Sequence, residues 1–475
     1  MAEPNAKQLF ARLASEGAMI ASLAADSRHC APGVAFFAYP GEKADGRSHI
    51  GAAIDRGAAA VLWEQEGFAW RDSWRVPNAP VVGLRQEAGR LAHEFYGQPS
   101  GAVWTCGITG TNGKTSCSHW LAALLGEQGV KTGVIGTLGA GFPGALSGGL
   151  NTTPDALEVH RLLKAMRDDG ARAAAMEVSS HGLVQGRVNG VHFACALFTN
   201  LSHDHLDYHG SMQAYAEAKA RLFEVPGLGS AVLNVDDEVG ARIAARSRVR
   251  TITYGFSSKA DLRAASVHGS TVEIESAWGR AEATISAVGR FNVANALGVL
   301  GCLIAYGIGF REGVHLLARL PAVPGRMERV GDAPLVVVDY AHTPDALEKV
   351  LTALRPVAEQ RGGRLAVVFG AGGDRDPTKR PVMGSVARRL ADRALVTSDN
   401  PRSEDPLAII RQIGLDESEP DRARAIEKAV REAAPRDVVL IAGKGHESYQ
   451  EIAGKRFPFS DAEVARAAVA KRGKK

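Results

Sequence analysis

Residues 103–120, VWTCGITGTNGKTSCSHW, combine the residue types needed to hold a phosphate chain. A short apolar run (103–108) leads into the small-residue loop Thr109-Gly110-Thr111-Asn112-Gly113. Lys114, Thr115 and Ser116 then open a segment whose apolar positions Cys117, Trp120, Leu121, Leu124 and Leu125 recur at helical spacing. In such a strand–loop–helix unit the loop N–H groups and the helix N-terminus face the anion. The Lys114 ammonium reaches the outer phosphates, and the Thr115 hydroxyl can ligate magnesium. The usual pattern has Gly where Ile108 stands, but Gly-Lys-Thr at the junction predicts a nucleotide-phosphate site.

Further chemistry lies downstream. Glu177 ends the apolar run AAAM, which predicts a carboxylate at a strand's C-terminal end, placed to ligate magnesium beside the phosphates. The run His203-Asp204-His205-Leu206-Asp207-Tyr208-His209 is the densest group of metal-capable side chains. It nearly matches the H-x-H-x-D-H pattern of zinc hydrolases, with Tyr208 where the last His is needed. The rival reading is therefore a hydrolase in which three imidazoles hold zinc and a bound water attacks. The phosphate loop argues against it. Lys219, on a predicted helix after this cluster, reads by itself as a solvated helix lysine. The loops Gly372-Gly373-Asp374-Arg375-Asp376 and Asp399-Asn400-Pro401-Arg402 each carry an arginine able to grip a carboxylate bidentately. Lys444, in Gly443-Lys444-Gly445-His446-Glu447, resembles a second phosphate loop without the following Ser/Thr and reads as a substrate or interdomain contact.

The elements that must position these groups follow a repeated strand-then-loop theme. In residues 1–98, apolar runs at 34–41, 59–64 and 79–84 alternate with Gly-rich turns, and Ala25-Asp26-Ser27-Arg28 reads as a polar turn. Runs at 131–137, 171–180, 193–202 and 230–237 follow the phosphate loop, with helical stretches at 157–168 and 212–223. Near-continuous apolar strands that end in polar residues are expected in a buried parallel sheet, with ligands at the strand ends. That places chemistry at Glu177, Ser179, Asn200, His203, His205 and Asn234. After the Pro-rich joint at 321–325, runs at 334–354, 364–376, 393–402 and 437–447 predict a small doubly wound domain whose loops face the phosphate site. The fold expected is α/β in three domains: a small α/β domain (1–98), a central P-loop domain with a mostly parallel sheet (99–322) and a Rossmann-like domain (323–475).

Composition narrows the class. The 475 residues are too many for one core. Basic and acidic residues nearly balance, 56 against 52, with no basic block interleaved with aromatics, so no nucleic-acid partner is expected. The five cysteines are scattered without a CxxC pair and read as reduced core thiols. With neither a signal core nor a membrane-length apolar run, a cytoplasmic protein with no membrane partner is expected.

The chain resembles the Mur ligases, the ATP-dependent amide-forming enzymes of peptidoglycan precursor synthesis. The resemblance rests on TGTNGKT, EVSSHGL, FTNLSHDHLDYHG, AEAKARLF, NVDDEVG, GRFNVAN, PGRME, VVDYAHTPDAL, GGDRD, SDNPR and AGKGHE, in that order over nearly the full length. Asp399-Asn400-Pro401-Arg402 is similar to the signature of members that add meso-diaminopimelate to UDP-N-acetylmuramoyl-L-alanyl-D-glutamate. The resemblance implies that Gly110, Thr111, Asn112, Gly113, Lys114, Thr115 and Ser116 hold ATP, with Asn292, Asn295, Arg326, Asp339 and His342 on the nucleotide side. It implies magnesium at Thr115, Glu177 and His205, and a carbamate on Lys219, reversing the solvated reading; Lys114, Glu177, His205 and Lys219 are the implied catalytic set. It places the UDP-sugar dipeptide at Ala25, Ser27, Glu42, Lys43, Ala44, Asn151, Thr152, Thr153, Ser179, Gln185 and Arg187. It places diaminopimelate at Arg380, Asp399, Asn400, Pro401, Arg402, Gly443 and Glu447. Pro154 stands where some relatives have Gly, and residues 42–44 fall in a variable stretch.

The implied reaction converts the D-glutamate γ-carboxylate to an acyl phosphate, which the diaminopimelate amine attacks to give an amide, ADP and phosphate. Gathered negative charge would require Lys114, magnesium and the helix N-terminus. Sites on three domains imply closure before reaction, in an enzyme expected to be a monomer. A folylpolyglutamate synthetase would share the ATP motifs but not the UDP-sugar residues or Asp-Asn-Pro-Arg, and a P-loop switch protein would not need Lys219 or the carboxylate-gripping arginines.

Overall fold

A computed structural model describes residues 5–42, 44–148 and 151–472; Lys43, expected at the UDP-sugar site, lies outside the described residues. The apolar runs form three separate sheets. The first is parallel throughout, in the order Ser22–Ala24, Val34–Ala38, Ala60–Glu64, Asn78–Val81. Its two inner strands are buried at every position. Alternate residues serve opposite faces: Ala35, Phe37 and Leu62 pack with Leu13, Leu84 and Leu91, whereas Phe36, Ala38 and Val61 pack with Ile50 and Ala53. The strand Ser22–Ala24 precedes the Ala25–Arg28 turn, where Asp26 accepts from the Arg28 N–H at 2.9 Å.

The central sheet runs in the order Gly279–Thr284, Thr271–Ser276, Leu262–His268, Arg250–Gly255, Ser230–Asn234, Cys195–Phe198, Trp104–Thr109, Ala173–Glu177, Thr132–Gly136, Gly139–Phe142, Ala145–Ser147. Its body is parallel and both margins are antiparallel. The expected parallel strands are present, and the margins were missed. Strands such as GAGF and GRAEAT carry too few apolar residues to stand out, because one or both faces meet solvent. The phosphate-loop strand lies between Ala173–Glu177 and Cys195–Phe198. Register alone therefore sets Gly110, Glu177 and Asn200 side by side at one sheet edge. The helices Lys114–Glu127 and Arg290–Tyr306 share one core with the face of this sheet.

The third sheet has the order Glu328–Asp332, Leu335–Asp339, Val438–Ala442, Leu365–Phe369, Arg393–Val396, parallel except for its first strand. Helices pack on both faces, as a doubly wound domain requires. Its polar centre is Arg422, whose Nε and Nη2 donate to the two oxygens of Asp461 at 2.7 Å each. The same guanidinium donates to Ser398 O at 3.3 Å and Ala442 O at 2.9 Å, joining two strand ends and two helices. Both side chains are fully buried.

Removing one member of this pair leaves a charge buried without its partner. Asp461→Ala should lower unfolding free energy by about 3–5 kcal/mol. Arg411→Ala, in the exposed pair with Asp405, should cost about 0–1 kcal/mol. Urea unfolding of the two variants checks this; similar midpoints would contradict it.

Candidate active site

Gly110 and Gly113 set the path of the phosphate loop, with φ of +146° and +91°. A Cβ at Gly110 would sit 1.9 Å from Thr199 Oγ1, and one at Gly113 would sit 2.5 Å from Asn295 Oδ1. The neighbouring strand end holds the loop from outside. Thr199 Oγ1 and Asn200 Nδ2 donate to Asn112 O at 2.6 and 3.0 Å, and Thr111 N donates to Asn200 O at 2.8 Å. Asn200, expected only as a strand-end residue, is thus the loop's brace.

Two ammonium groups converge on this loop. Lys114 Nζ donates to Gly110 O at 2.8 Å and Thr111 O at 2.9 Å, and Lys219 Nζ donates to the same Gly110 O at 2.8 Å. Lys219 lies on the helix Met212–Ala220, whose N-terminus Ser211 caps, with its Nζ 4.5 Å from the centre of the Tyr215 ring. The solvated-lysine reading fails, because Lys219 is 1% exposed. Burial, reinforced by the Lys114 charge, pushes its ammonium well below the usual lysine range. Lys114 is also lowered by burial, against the pull of Glu177.

Glu177 is fully buried at its strand end. Its carboxylate accepts from Thr115 Oγ1 at 3.1 Å, Thr137 N at 2.9 Å and Thr137 Oγ1 at 3.0 Å. A hydroxyl and a carboxylate together offer the all-oxygen donor set that a hard divalent cation prefers, so Thr115 and Glu177 fit magnesium. Thr137 was missed: nothing in KTGVIGT marks it as more than a strand end. His205 adopts a left-handed backbone (φ +54°), with its ring 4.9 Å from His181 and 6.0 Å from Tyr215. Burial drives its imidazole down to about 4, leaving a neutral ring with a free lone pair. Among the described residues, the histidines and carboxylates of 203–209 do not gather three ligand atoms within metal-binding distance. The zinc-hydrolase reading has no geometric support.

Beside the loop lies a cavity of about 420 Å³ between the second and third sheets, lined by Asn112, Gly113, Ser116, Asn292, Asn295, Arg326 and Asp339 among others. Arg326 spans the two domains: Nη2 donates to Thr115 Oγ1 at 3.1 Å, and its guanidinium lies 4.5 Å from the Tyr340 ring centre. Asp339 turns the chain there, accepting from Met327 N at 2.8 Å and Ala341 N at 2.9 Å. His342 is not in the lining. It lies among Asp204 and Lys379, whose ammonium donates to the His342 carbonyl at 3.3 Å.

The residues expected at the UDP-sugar site form a chain of contacts across the first two domains. Tyr208 Oη donates to Glu42 Oε1 at 2.6 Å and accepts from Gln185 Nε2 at 3.3 Å. Arg187 donates to Gln185 Oε1 at 2.7 Å and to Thr153 O at 2.7 Å. Thr153 Oγ1 accepts from Ser179 N at 2.9 Å and donates to the Glu177 carbonyl at 3.0 Å. Thr152 meets Thr137 at 3.0 Å. Tyr208, noted only for spoiling a zinc pattern, is one of the links between the first two domains, beside Asn189 donating to Gln86 and Arg167 donating to Gly97. Ala25 and Ala44 have no polar side chain, Asn151 makes no side-chain hydrogen bond to the described residues, and Ser27 is buried in its turn.

In the third domain Asn400 Nδ2 donates to Glu447 Oε2 at 2.9 Å, and Lys444 Nζ donates to Asn400 Oδ1 at 3.0 Å and to Glu447 Oε2 at 2.7 Å. Lys444 is fully buried, so it braces the loops from within and is not the substrate or interdomain contact expected. Asp399, whose burial is outweighed by Arg422 and Lys444, stays ionised beside Gly443. Arg402, after Pro401, has φ +51° and donates from Nη1 to Gly373 O at 2.6 Å. The placement of Arg380 corrects the expectation that it grips a substrate carboxylate. Its buried guanidinium is already held by both oxygens of Glu404 at 2.8 Å each and by Gln412 at 2.6 Å. Arg375, in the Gly-rich loop, is exposed.

Comparison with known proteins agrees with this geometry. Family models described as "Mur ligase family, catalytic domain", "Mur ligase middle domain" and "Mur ligase, glutamate ligase domain" match residues 19–96, 108–303 and 325–445. The UDP-N-acetylmuramoyl-L-alanyl-D-glutamate--2,6-diaminopimelate ligase of Chromobacterium violaceum is 50% identical, covering 97% of this chain and 96% of its own. A solved structure of an enzyme of that name superposes with a TM-score of 0.68 at 36% identity, over 96% of this chain and 95% of the other. The MurF ligase of Thermotoga maritima in complex with ADP shares the fold, with a TM-score of 0.66 at 19% identity, over 96% and 99%. Three domain matches in order, near-complete coverage and the phosphate-loop geometry place the chain in the Mur ligase family.

Proposed function

We propose that the protein is an ATP-dependent ligase that joins meso-diaminopimelate to the D-glutamate γ-carboxylate of UDP-N-acetylmuramoyl-L-alanyl-D-glutamate, forming ADP and phosphate through an acyl phosphate. The relatives of that name support this substrate pair. So does one observation: the contact chain from Glu42 through Tyr208, Gln185, Arg187 and Thr153 ends at Glu177, beside Thr115 and the phosphate loop. In this reading residues 1–98 bind the UDP-sugar, 99–322 bind ATP and 323–475 bind the amino acid. The enzyme works as a monomer on cytoplasmic peptidoglycan precursors; among the described residues no helix is long and apolar enough to cross a membrane.

Each part has a task. The loop N–H groups from Gly110 to Ser116 and the start of the helix Lys114–Glu127 hold the phosphates. Lys114 exchanges its bonds to loop carbonyls for bonds to the transferring phosphoryl group. Thr115 and Glu177, with His205 as a further ligand, would hold magnesium, which when bound would supply positive charge to offset that of the phosphates. The adenosine occupies the cavity lined by Asn292, Asn295, Arg326 and Asp339. Lys219 reacts as a neutral amine with carbon dioxide, releasing one proton and becoming a carbamate anion. The crowding of two ammonium groups on Gly110 O favours that change, since it replaces a like-charge repulsion with an opposite-charge attraction.

For the incoming amino acid, Arg402 and Arg375 supply guanidinium groups, while Arg380 fixes the loop through Glu404. Diaminopimelate differs from lysine by one distal carboxylate. Reading it requires a cation at the far end of the side chain.

ADP formation should require both the UDP-muramoyl dipeptide and diaminopimelate, and Lys114→Ala should lower it about a hundred- to thousandfold. Formation of AMP and pyrophosphate would overturn the acyl-phosphate reading. Removal of dissolved carbon dioxide should lower activity and bicarbonate should restore it; a wild-type rate indifferent to both would exclude the carbamate. Arg402→Ala should cut kcat/KM for diaminopimelate by roughly thirtyfold or more, while leaving the weak use of lysine unchanged or improved. Equal losses for both amino acids would mean that Arg402 only shapes its loop.

A further inference from the structure

Cys106, Cys195 and Cys302 form a cluster that the ligase reading leaves unused. Cys106 and Cys195 are direct register partners on neighbouring parallel strands. Cys302 reaches them from the helix Arg290–Tyr306, which packs across the sheet. The three Sγ atoms lie within 4.8 Å of one another, and Cys106 Sγ lies 3.8 Å from Cys302 Sγ. All three thiols are free and fully buried. Ile108, Leu121, Leu197 and Leu297 belong to the same apolar core. Burial pushes Cys106 and Cys302 well above the usual thiol range, so both carry their protons.

We infer that these three thiols form a binding site for a trivalent, thiophilic metalloid, of which arsenic(III) is the type. Charge decides the ligand class. Zinc on three thiolates would leave one net negative charge in an apolar core, and copper(I) would leave two; an unpaired buried charge is costly. Arsenic(III) bound to three sulfurs is neutral. The reaction is a condensation: As(OH)₃ and three S–H groups give three As–S bonds, and each sulfur's proton leaves with a hydroxide as water. Nothing is oxidised or reduced. Buried thiols are reached through local opening of the fold.

The site is mechanically linked to the nucleotide. Cys106 lies on the strand that runs directly into Gly110, and Cys302 lies on the helix that carries Asn292 and Asn295. Drawing three sulfurs together onto one atom pulls on both borders of the adenosine cavity. Arsenic occupancy is therefore expected to inhibit ADP formation, and excess dithiol to reverse it.

The test uses the full chain incubated with arsenite. Intact mass should rise by one arsenic less three hydrogens. X-ray absorption should give three sulfur neighbours, and the thermal midpoint should rise, because the ligand binds the folded form. Cys302→Ala and Cys195→Ala should each lose the adduct and resist inhibition, while Cys30→Ala should keep both. The proposal is overturned if the wild type gains no arsenic, if the adduct persists in Cys302→Ala, or if arsenite lowers the thermal midpoint, which would mean capture by the unfolded chain. Should an alanine variant fail to fold, the wild-type sulfur count and thermal shift still decide the matter, and neither depends on the ligase assignment.

Discussion

The carbonyl oxygen of Gly110 receives two ammonium groups, from Lys114 and Lys219, and much of the molecule follows from holding that concentration of positive charge out of water. Two cations buried together repel, and burial alone disfavours each. The arrangement becomes favourable when negative charge arrives, as the carbamate proposed on Lys219 and as the polyphosphate that Lys114 meets. The fold supplies the rest of the balance nearby. Glu177 stands one strand away, fixed by Thr115 and Thr137, and Asn200 on the other neighbouring strand fixes the loop from behind. A parallel sheet does this economically, because its strand ends lie side by side while the residues come from distant parts of the chain.

The same logic explains the arrangement of the three larger sheets. The central sheet gathers charge, and the flanking domains present ligands to it through polar side chains that reach across the joints. Tyr208 and Glu42 cross one joint; Arg326 and the contact of Asn112 with Asp345 cross the other. Apolar packing joins them: Leu157 lies in the core of the first sheet, where Asn189 also donates to Gln86 and Arg167 to Gly97, and Phe291 packs against the core of the third. The cavity at the second joint leaves room for domain movement during turnover. The C-terminal domain, by contrast, is rigid at its own centre, where Arg422 and Asp461 tie strand ends to helices and so hold the Asp399-to-Arg402 loop in place.

Much of this was legible in the sequence. Glycine spacing, Gly-Lys-Thr and apolar runs ending in polar residues identify a phosphate site on a parallel sheet, because backbone geometry and burial constrain those positions directly. Two kinds of feature were not legible. Lys219 and Lys444 look like solvated or ligand-facing lysines, since nothing local marks a long side chain as buried; only tertiary packing does so. Arg380 and Arg375 are five positions apart in one charged stretch, yet one is saturated by Glu404 and the other faces solvent. Motif position cannot separate them, because the partner lies in another loop. Tyr208 and Thr137 were overlooked for the same reason: their partners are remote in sequence.

The central claim is that charge gathered around Gly110 drives transfer of a phosphoryl group from ATP to the substrate carboxylate. It is tested most directly by labelling the D-glutamate γ-carboxylate of the UDP-muramoyl dipeptide with oxygen-18 and running the reaction to completion with ATP and diaminopimelate. Mass analysis of the released phosphate should then find one oxygen-18 atom in each molecule formed from doubly labelled carboxylate, because the amine displaces the carboxylate oxygen together with the phosphoryl group. Phosphate free of label, with amide product formed, would contradict the account.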